Sequence, residues 1–225
     1  MRTAAVLPVK SFAHAKQRLG ASVADPLRLE LARAMVADVL LALAQAESIE
    51  RTIVVTREES VALSAAELGA LIVQDHAEAG QSAAASLGIE RALAEGFQRV
   101  LCVPGDCPAL DPAELDALLG ARAPAVTIVP DRHGAGTNGL LLSPPDAIAP
   151  SFGPDSCARH SQLALDAGIA PRVERLSSLL LDVDTGADLA ALRDRLSGHS
   201  ERASRTRAVL GQPERTDLIT ISTTA

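Results

Sequence analysis

The stretch "RVLCVPGDCPALDPAEL" at residues 99–115 passes from an apolar run through a polar turn to the start of a helix. The apolar run predicts a strand over residues 99–106, and it ends abruptly in Gly105-Asp106. Residues 111–114 match a capping box with proline at the first helical position, which predicts a helix to about residue 119. A buried strand followed at once by a helix is typical of an α/β fold.

The same alternation of strand and helix runs through the rest of the chain. Apolar runs predict strands over residues 3–9, 51–56, 70–75, 125–130, 139–143, 171–176 and 179–184, and helical spacing predicts helices over residues 27–46, 58–68, 80–96, 156–167 and 185–196. The strands of the first half are apolar on both faces, as expected for a parallel sheet that is covered on both sides. We therefore predict an α/β fold, a Rossmann-like three-layer sandwich with a mostly parallel central sheet.

The length of 225 residues suits one domain with a sizeable core. We assign residues 1–197 to that single domain and find no internal repeat. Residues 198–225 are polar and lack hydrophobic periodicity. We predict that they form a C-terminal tail, either disordered or dependent on a partner.

Composition excludes several classes of protein. The formal net charge is -7 and the chain has no Trp and no Tyr, so it lacks the basic face and the stacking aromatics of a nucleic-acid-binding protein. The apolar runs are too short to span a bilayer, and no secretory signal is recognisable. The three cysteines are odd in number and lack metal-type spacing, which favours a reduced, cytoplasmic protein.

Carboxylates follow two of the predicted strands, Asp106 after one and Asp182 with Asp184 at the end of another. Ligands collect at the carboxyl ends of the strands in such sheets. If these strand ends lie close together, the three carboxylates could share a divalent cation, and magnesium prefers such oxygen ligands. The alternative is structural, since Asp184 could cap the last helix and Asp106 could be a turn residue.

Lys10, Lys16 and Arg18 lie in the loop after the first strand, where nucleotide-binding α/β folds hold phosphate. Lys10 and Lys16 are the only lysines in the chain, and a compact point charge suits a pair of phosphates. The loop lacks the GxGxxG and GxxxxGK[ST] patterns, which argues against a dinucleotide fold and a P-loop. A solvated basic loop is the alternative interpretation.

A second candidate site combines Thr137 and Asn138, just before a predicted strand, with Gly153 and Ser156 at a predicted helix start. Backbone N–H groups at that helix start, together with the serine hydroxyl, could form an anion pocket. An ordinary Ser or Asp N-cap is the commoner reason for such residues. His160, one turn after Ser156, could face the same pocket or the surface.

Five segments in order resemble one family, the guanylyltransferases of coenzyme F-420 biosynthesis, a branch of the MobA-like nucleotidyltransferases of the nucleotide-diphospho-sugar transferase type. They are "LPVKSFAHAKQRL" (7–19), "VPGDCPAL" (103–110), "GTNGLLL" (136–142), "FGPDSCARH" (152–160) and "LLLDVDTGADL" (179–189). Each segment alone is weak, but their order and spacing together are specific. Gly186 departs from the family pattern, which has proline after Asp-Thr.

The resemblance implies that a phosphorylated three-carbon acid attacks the α-phosphorus of GTP and that pyrophosphate leaves. The acid would be phosphoenolpyruvate, 2-phospho-L-lactate or 3-phospho-D-glycerate. The resemblance implies these roles: catalysis by Lys10, Lys16 and Asp106; nucleotide binding by Pro8, Lys10, Lys16, Arg18, Gln81, Ser82 and Gly105; acceptor binding by Thr137, Asn138, Gly153 and Ser156; and Mg²⁺ binding by Asp106, Asp182 and Asp184. A homodimer is possible, and neither nucleic acid nor a membrane is expected as a partner.

Two other functions stay open at this point. A sugar-phosphate or molybdopterin nucleotidyltransferase on the same fold would take a larger acceptor. A catalytically silent nucleotide-binding domain is the alternative from another class. The chain keeps all three aspartates and both lysines, and the chemistry of a silent site would not require them.

Overall fold

The structure is a computed structural model that describes residues 1–12, 25–121, 125–197 and 202–211. Strands and helices alternate within these residues. Their bounds are β1 (Thr3–Val9), α1 (Asp25–Gln45), β2 (Arg51–Thr56), α2 (Glu59–Glu67), β3 (Leu71–Gln74), α3 (Gln81–Ala94), β4 (Arg99–Cys102), α4 (Pro112–Gly120), β5 (Val126–Pro130), β6 (Thr137–Leu142), α5 (Ser156–Asp166), β7 (Arg172–Val173), α6 (Gly186–Leu196) and α7 (Ser204–Leu210).

The seven strands form one sheet in the order β3-β2-β1-β4-β6-β5-β7. Strand β1 pairs in parallel with both β2 and β4, β2 pairs in parallel with β3, and β5 pairs in parallel with β7. Strand β6 is antiparallel to both of its neighbours, β4 and β5. The predicted mostly parallel α/β sheet is therefore confirmed.

Alternating side chains of β1 enter two separate cores. Ala5 and Leu7 pack with residues of α1, α2 and α4, whereas Ala4 and Val6 pack with residues of α3 and α5. All four are fully buried. The central strand is thus covered by helices on both faces, which is why its sequence is apolar throughout.

Helix α3 lies unusually close to the sheet at Gly88. A Cβ atom at this position would lie 2.3 Å from Cγ1 of Val6 and 3.1 Å from Cγ2 of Val55. Since real Cβ atoms do not approach other atoms that closely, only glycine fits there without a shift of the helix or the strand. This close packing sets the position of the first turn of α3, which begins at Gln81.

The predicted strand over residues 179–184 is wrong. A 3-10 helix spans Ser177–Leu179, and irregular backbone follows until α6. This segment is held by single hydrogen bonds and not by a strand ladder. The side chain of Asn138 donates through Nδ2 to Leu179 O at 2.7 Å, and Val183 N donates to Asp106 O at 3.0 Å. The strand predicted over residues 171–176 shortens to the two residues of β7.

The capping box predicted at residues 111–114 is half correct. Asp111 accepts a hydrogen bond from Ala113 N at 3.0 Å and so caps α4. Glu114 does not return to the cap, since its carboxylate accepts from Ser178 N at 2.8 Å and from the Ser177 hydroxyl. A complete capping box opens α6 instead, formed by Thr185 and Asp188.

Part of the segment that we predicted as a tail folds against the domain. Helix α7 packs on α1, and Val209 joins a cluster with Leu31 and Met35 of α1. The carboxylate of Asp38, on α1, accepts from Arg205 N at 3.2 Å and from Thr206 N at 2.8 Å, so α1 caps the start of α7. Residues 202–211 thus form part of the folded unit.

Candidate active site

A cavity of about 510 Å³ opens at the carboxyl ends of β1, β3 and β4. This is the point where the chain, having built β1, β2 and β3 in one direction, crosses to β4 on the other side of β1. Such a switch point is where open α/β sheets bind ligands. The polar residues and glycines that line it are Lys10, Ser11, Asp75, Glu78, Gly80, Gln81, Gly105, Asp106 and Asp184.

Most of the residues that we predicted to bind nucleotide lie at this cavity. Pro8, Lys10, Gln81 and Gly105 all line it. Lys16 and Arg18 lie outside the residues that the structure describes. Gly105 faces α1, where a Cβ atom would lie 3.0 Å from Cγ2 of Val36, so a larger residue would crowd the floor of the cavity.

Two glutamates fix the segment that follows β1. Glu78 accepts from Ser11 N at 3.0 Å and from Arg57 Nη1 at 2.9 Å, while Glu58 accepts from Phe12 N at 2.8 Å. Glu78 has a φ of 43°, a left-handed conformation that is uncommon outside glycine. Neither glutamate could be predicted from the sequence, because no motif near them indicates a hydrogen bond to residues 11 and 12.

The carboxylates predicted to share a metal ion do meet in space. The backbone bond from Val183 N to Asp106 O brings the segment 182–184 beside the end of β4. Burial raises the pKa of Asp182, and the negative charges of Asp106 and Asp184 raise it further. Asp182 therefore lies within range of the negative charges of Asp106 and Asp184.

The geometry of the three carboxylates is not that of a finished metal site. Among the described residues, no group of three or more His, Cys, Asp or Glu side chains is placed to hold a metal ion. Asp106 and Asp184 line the cavity, whereas Asp182 accepts from Asn138 Nδ2 at 3.1 Å. Carboxylate oxygens are the ligands that Mg²⁺ prefers, and Asp106 and Asp184 are the two of the three that line the cavity.

The side-chain amide of Asn138, which we predicted to bind the acceptor acid, is bonded within the protein. Its amide donates to Leu179 O and to Asp182 Oδ1, which uses both hydrogens of Nδ2. The side chain is 6% exposed. Asn138 therefore braces the segment that carries Asp182, and the same amide hydrogens are not available to an acceptor acid.

Thr137, the first residue of β6, lies in a second polar cluster between β6 and α5. Its hydroxyl forms a 3.1 Å hydrogen bond with Nδ1 of His160, and Ser151 N donates to Nε2 of the same ring at 2.8 Å. His160 is fully buried, so it does not face the surface. Burial, with a smaller effect of the Arg159 charge, lowers the pKa of His160 to about 4, and the ring is neutral at pH 7.

Ser156 begins α5 and is buried, with a side-chain oxygen that has no hydrogen-bond partner among the described residues. The backbone of this turn is less open to an anion than we predicted, because Ser156 N donates to Gly153 O and Cys157 N donates to Ala135 O. The N-cap alternative also fails, since Asp155 makes no side-chain cap. Of these groups, the Ser156 hydroxyl is the one without a hydrogen-bond partner among the described residues.

Arg159 holds the loop that enters α5. Its guanidinium donates to Ser151 Oγ at 3.1 Å, to Ser151 O at 2.9 Å and to the carbonyls of Phe152 and Pro154. The loop is also tied to the nucleotide side, because Phe152 N donates to Ser82 Oγ at 2.8 Å. Ser82, which we predicted to contact nucleotide, thus connects the first turn of α3 with the second cluster.

Two solved structures share this fold. A nucleotide-diphospho-sugar transferase structure from Desulfovibrio desulfuricans matches with a TM-score of 0.76 and 18% identity over 97% of both chains. The structure of CMP:2-keto-3-deoxy-manno-octonic acid synthetase complexed with CTP matches with a TM-score of 0.59, covering 88% of this chain and 99% of that one, at 13% identity. At such low identity, these two likenesses show the shared fold alone.

The chain belongs to the nucleotidyltransferase class, in the family described as guanylyl transferase CofC like, whose model matches residues 3–212. A phosphoenolpyruvate guanylyltransferase of Conexibacter woesei is 48% identical over 96% of this chain and 99% of its own length. A 2-phospho-L-lactate guanylyltransferase of Methanothermobacter thermautotrophicus is 33% identical over 85% of this chain and 84% of its own. The resemblance seen in the five sequence segments is therefore confirmed. No helix among the described residues has the length and apolar character needed to cross a membrane.

Proposed function

We propose that the protein transfers GMP from GTP to the phosphate of a small phosphorylated three-carbon acid and releases pyrophosphate, in coenzyme F-420 biosynthesis. The observation that carries the proposal is that Lys10, Asp106 and Asp184 line one cavity at the switch point of the sheet. A cation for phosphates and carboxylates for a metal ion are the groups that phosphoryl transfer needs. Membership of the guanylyltransferase family supports the same reaction.

The proposed reaction requires little proton transfer by the protein. An oxygen of the acid's phosphate attacks the α-phosphorus of GTP, the new P–O bond forms, and the bond to the β-phosphate breaks. The nucleophile is already an anion, so no strong general base is required. Catalysis then rests on holding two groups of like charge in line and neutralising them.

Lys10 is the described residue that brings positive charge to the phosphates. Its side chain is exposed at the cavity, on the segment that Glu58 and Glu78 fix through Ser11 and Phe12. We expect Asp106 and Asp184, with Asp182 close by, to hold Mg²⁺. When bound, the ion would neutralise charge on the phosphates.

We infer that Asp75 contributes to the preference for GTP. It is 6% exposed, lines the cavity after β3, and accepts from Glu78 N at 2.9 Å through Oδ1. Guanine presents adjacent N–H donors at its pairing edge, which a carboxylate oxygen can accept, and adenine does not present that pair. The chain has no Trp or Tyr for stacking, so base edges are the main feature it can read.

The acceptor acid would bind on the other side of the carboxylates, toward Thr137 and Ser156. The buried Ser156 hydroxyl has no partner among the described residues, so an anionic oxygen would satisfy it. Phosphoenolpyruvate is the acid to test first, because the relative with 48% identity is named for it.

We also infer a reducing compartment, the cytoplasm, for this protein. The three cysteines are buried and form no disulfide. Burial raises the pKa of Cys102 to about 12, so this thiol is inert as a nucleophile.

The test is to incubate the pure protein with GTP, Mg²⁺ and each of the three acids separately and to measure pyrophosphate. We expect release with phosphoenolpyruvate and a product that contains GMP joined to the acid's phosphate, identified by mass spectrometry. ATP and CTP in place of GTP test the base preference. Turnover only with a sugar phosphate would support the broader nucleotidyltransferase reading, and no turnover with any acceptor would favour a silent domain.

A further inference from the structure

His160 is buried in the second cluster and touches neither the cavity nor the surface. It is 0% exposed on α5, and its ring meets the Phe152 ring edge-on at 5.2 Å between centroids. Both ring nitrogens have partners, Thr137 on Nδ1 and Ser151 N on Nε2. Such a ring has one fixed orientation, and the hydrogen positions on it follow from its partners.

The tautomer of His160 is determined by the backbone. Ser151 N can only donate, so Nε2 must accept with its lone pair. A neutral imidazole carries one hydrogen, which therefore lies on Nδ1. The bond of 3.1 Å to Thr137 then runs from His160 Nδ1–H to Thr137 Oγ1, and the threonine oxygen is the acceptor.

The direction of this bond controls what Thr137 can do. With its oxygen accepting from His160, the hydroxyl is left to donate its own hydrogen elsewhere. Among the described residues, the bond to His160 is the hydrogen bond that the structure gives this hydroxyl. Thr137 is followed directly by Asn138, which binds Asp182, so the hydroxyl lies one residue from the brace of the carboxylate segment.

We propose that His160 is a positioning residue that turns Thr137 into a fixed hydrogen-bond donor for an anionic oxygen of the phosphorylated acid. The inference rests on the proposed function, because it assigns the acceptor site of that reaction. It adds a group that does not touch the substrate and acts through Thr137. The same ring also accepts from Ser151 N, and the neighbouring Phe152 N donates to Ser82 at the start of α3. These bonds connect the cluster around Thr137 with the helix that lines the cavity.

Two variants separate the two bonds of the ring. In His160→Asn, the side-chain amide lies near the former Nδ1 and can still donate to Thr137. In His160→Gln, the longer side chain reaches toward the former Nε2 and can accept from Ser151 N, but the donor to Thr137 is lost. We expect His160→Gln to raise the KM for phosphoenolpyruvate about tenfold, the cost of one misdirected hydrogen bond, with the KM for GTP unchanged. His160→Asn should retain the acid's KM within about threefold.

A double-variant cycle tests whether His160 acts through Thr137. In a Thr137→Val background the hydroxyl is absent, so His160→Gln should raise the KM for phosphoenolpyruvate no further. Equal effects of both His160 variants on both substrates, or effects that add fully to Thr137→Val, would mean a merely structural role and would overturn the inference.

Nitrogen-15 NMR of the wild-type ring gives a measurement that needs no variant to fold. We expect the Nδ1–H tautomer at pH 7, with a shift of its signal when phosphoenolpyruvate is added. An Nε2–H tautomer would overturn the inference. Absence of wild-type turnover with all three acids would instead overturn the proposed function, so the two failures are distinguishable.

Discussion

Asp106 and Asp111 are five residues apart in one loop, and the two carboxylates have different surroundings. Asp111 accepts from Ala113 N and from the guanidinium of Arg202, so both of its oxygens have structural partners. Asp106 lines the cavity and lies near the charge of Asp182. At the residue scale, one aspartate stabilises the start of a helix and the other is the candidate for catalysis.

We predict that Asp106→Asn abolishes pyrophosphate release while leaving the protein folded. The amide keeps the shape of the carboxylate but removes the negative charge that we propose binds Mg²⁺. Steady-state pyrophosphate release and thermal unfolding, measured on the same preparation, check both halves of the prediction. Activity within about tenfold of wild type would show that Asp106 is not the essential metal ligand.

Asp111→Asn is the matched control for that experiment. It should lower the free energy of unfolding by no more than about 1 kcal/mol, because asparagine caps a helix about as well as aspartate and the main loss is the partly exposed ion pair with Arg202. Its kcat and both KM values should stay near those of wild type. A loss of turnover as large as that of Asp106→Asn would place Asp111 in the active site as well.

Asp75→Asn should change which nucleotide is preferred. An asparagine presents a donor as well as an acceptor, so it should raise the KM for GTP by about tenfold, the cost of replacing an acceptor by a donor at a base edge. The difference in kcat/KM between GTP and ATP should therefore become smaller. The check is kcat/KM for GTP, ATP and CTP with phosphoenolpyruvate held constant. An unchanged ratio between GTP and ATP would show that the base is recognised elsewhere.

At the scale of single elements, the distance between α3 and β1 is the sharpest constraint. Gly88→Ala should destabilise the fold by about 1–3 kcal/mol, because the added methyl meets Val6 in a packed core. Alanine has the better helix propensity by up to about 1 kcal/mol, so the net loss measures the clash. Gly120→Ala is the control, since nothing lies within 4 Å of a Cβ there. In urea unfolding, the changes in the free energy of unfolding caused by the two substitutions should differ in sign or by more than about 1 kcal/mol. Equal unfolding midpoints of the two variants would contradict the clash at Gly88.

Helix α1 could be predicted from the sequence, because it is long and carries apolar residues at helical spacing throughout. Leu31, Met35, Val39 and Leu43 recur at every fourth position and are all buried. The wrong prediction of a strand at residues 179–184 also came from the pattern of apolar residues. Leu179, Leu181 and Val183 are buried in alternation like a strand, but their segment is held by Asn138 and by Asp106 O. A burial pattern does not reveal which group supplies the hydrogen bonds.

At the scale of the whole molecule, the topology explains why the site residues at strand ends could be predicted and the long-range hydrogen bonds that hold them could not. Strand ends are local in sequence, and a parallel sheet brings them to one edge, so Lys10 and Asp106 could be assigned together. The bonds of Glu78 to Ser11 and of Asn138 to Asp182 join residues 67 and 44 positions apart. Side chains of ordinary composition carry these links, and no motif marks them.

The buried neutral ring of His160 also predicts how the stability of the whole molecule responds to acid. Its pKa is about 4 in the folded protein and near 6.5 when unfolded, so the unfolded state takes up the proton first as the pH falls. Its contribution to stability is complete above pH 6.5 and is lost as the pH falls toward 4, by up to about 3 kcal/mol. The raised pKa of Asp182 acts in the opposite direction, since its folded form gains the proton more readily.

A comparison of wild type with His160→Gln, by urea unfolding at a series of pH values from 7 to 4, isolates the histidine from the carboxylates common to both. Wild type should be the more stable at pH 7, and the difference should shrink steadily below pH 6.5. Parallel curves would mean that His160 can be protonated in the folded state at its ordinary pKa. That result would also remove the fixed tautomer on which the direction of the Thr137 hydrogen bond depends.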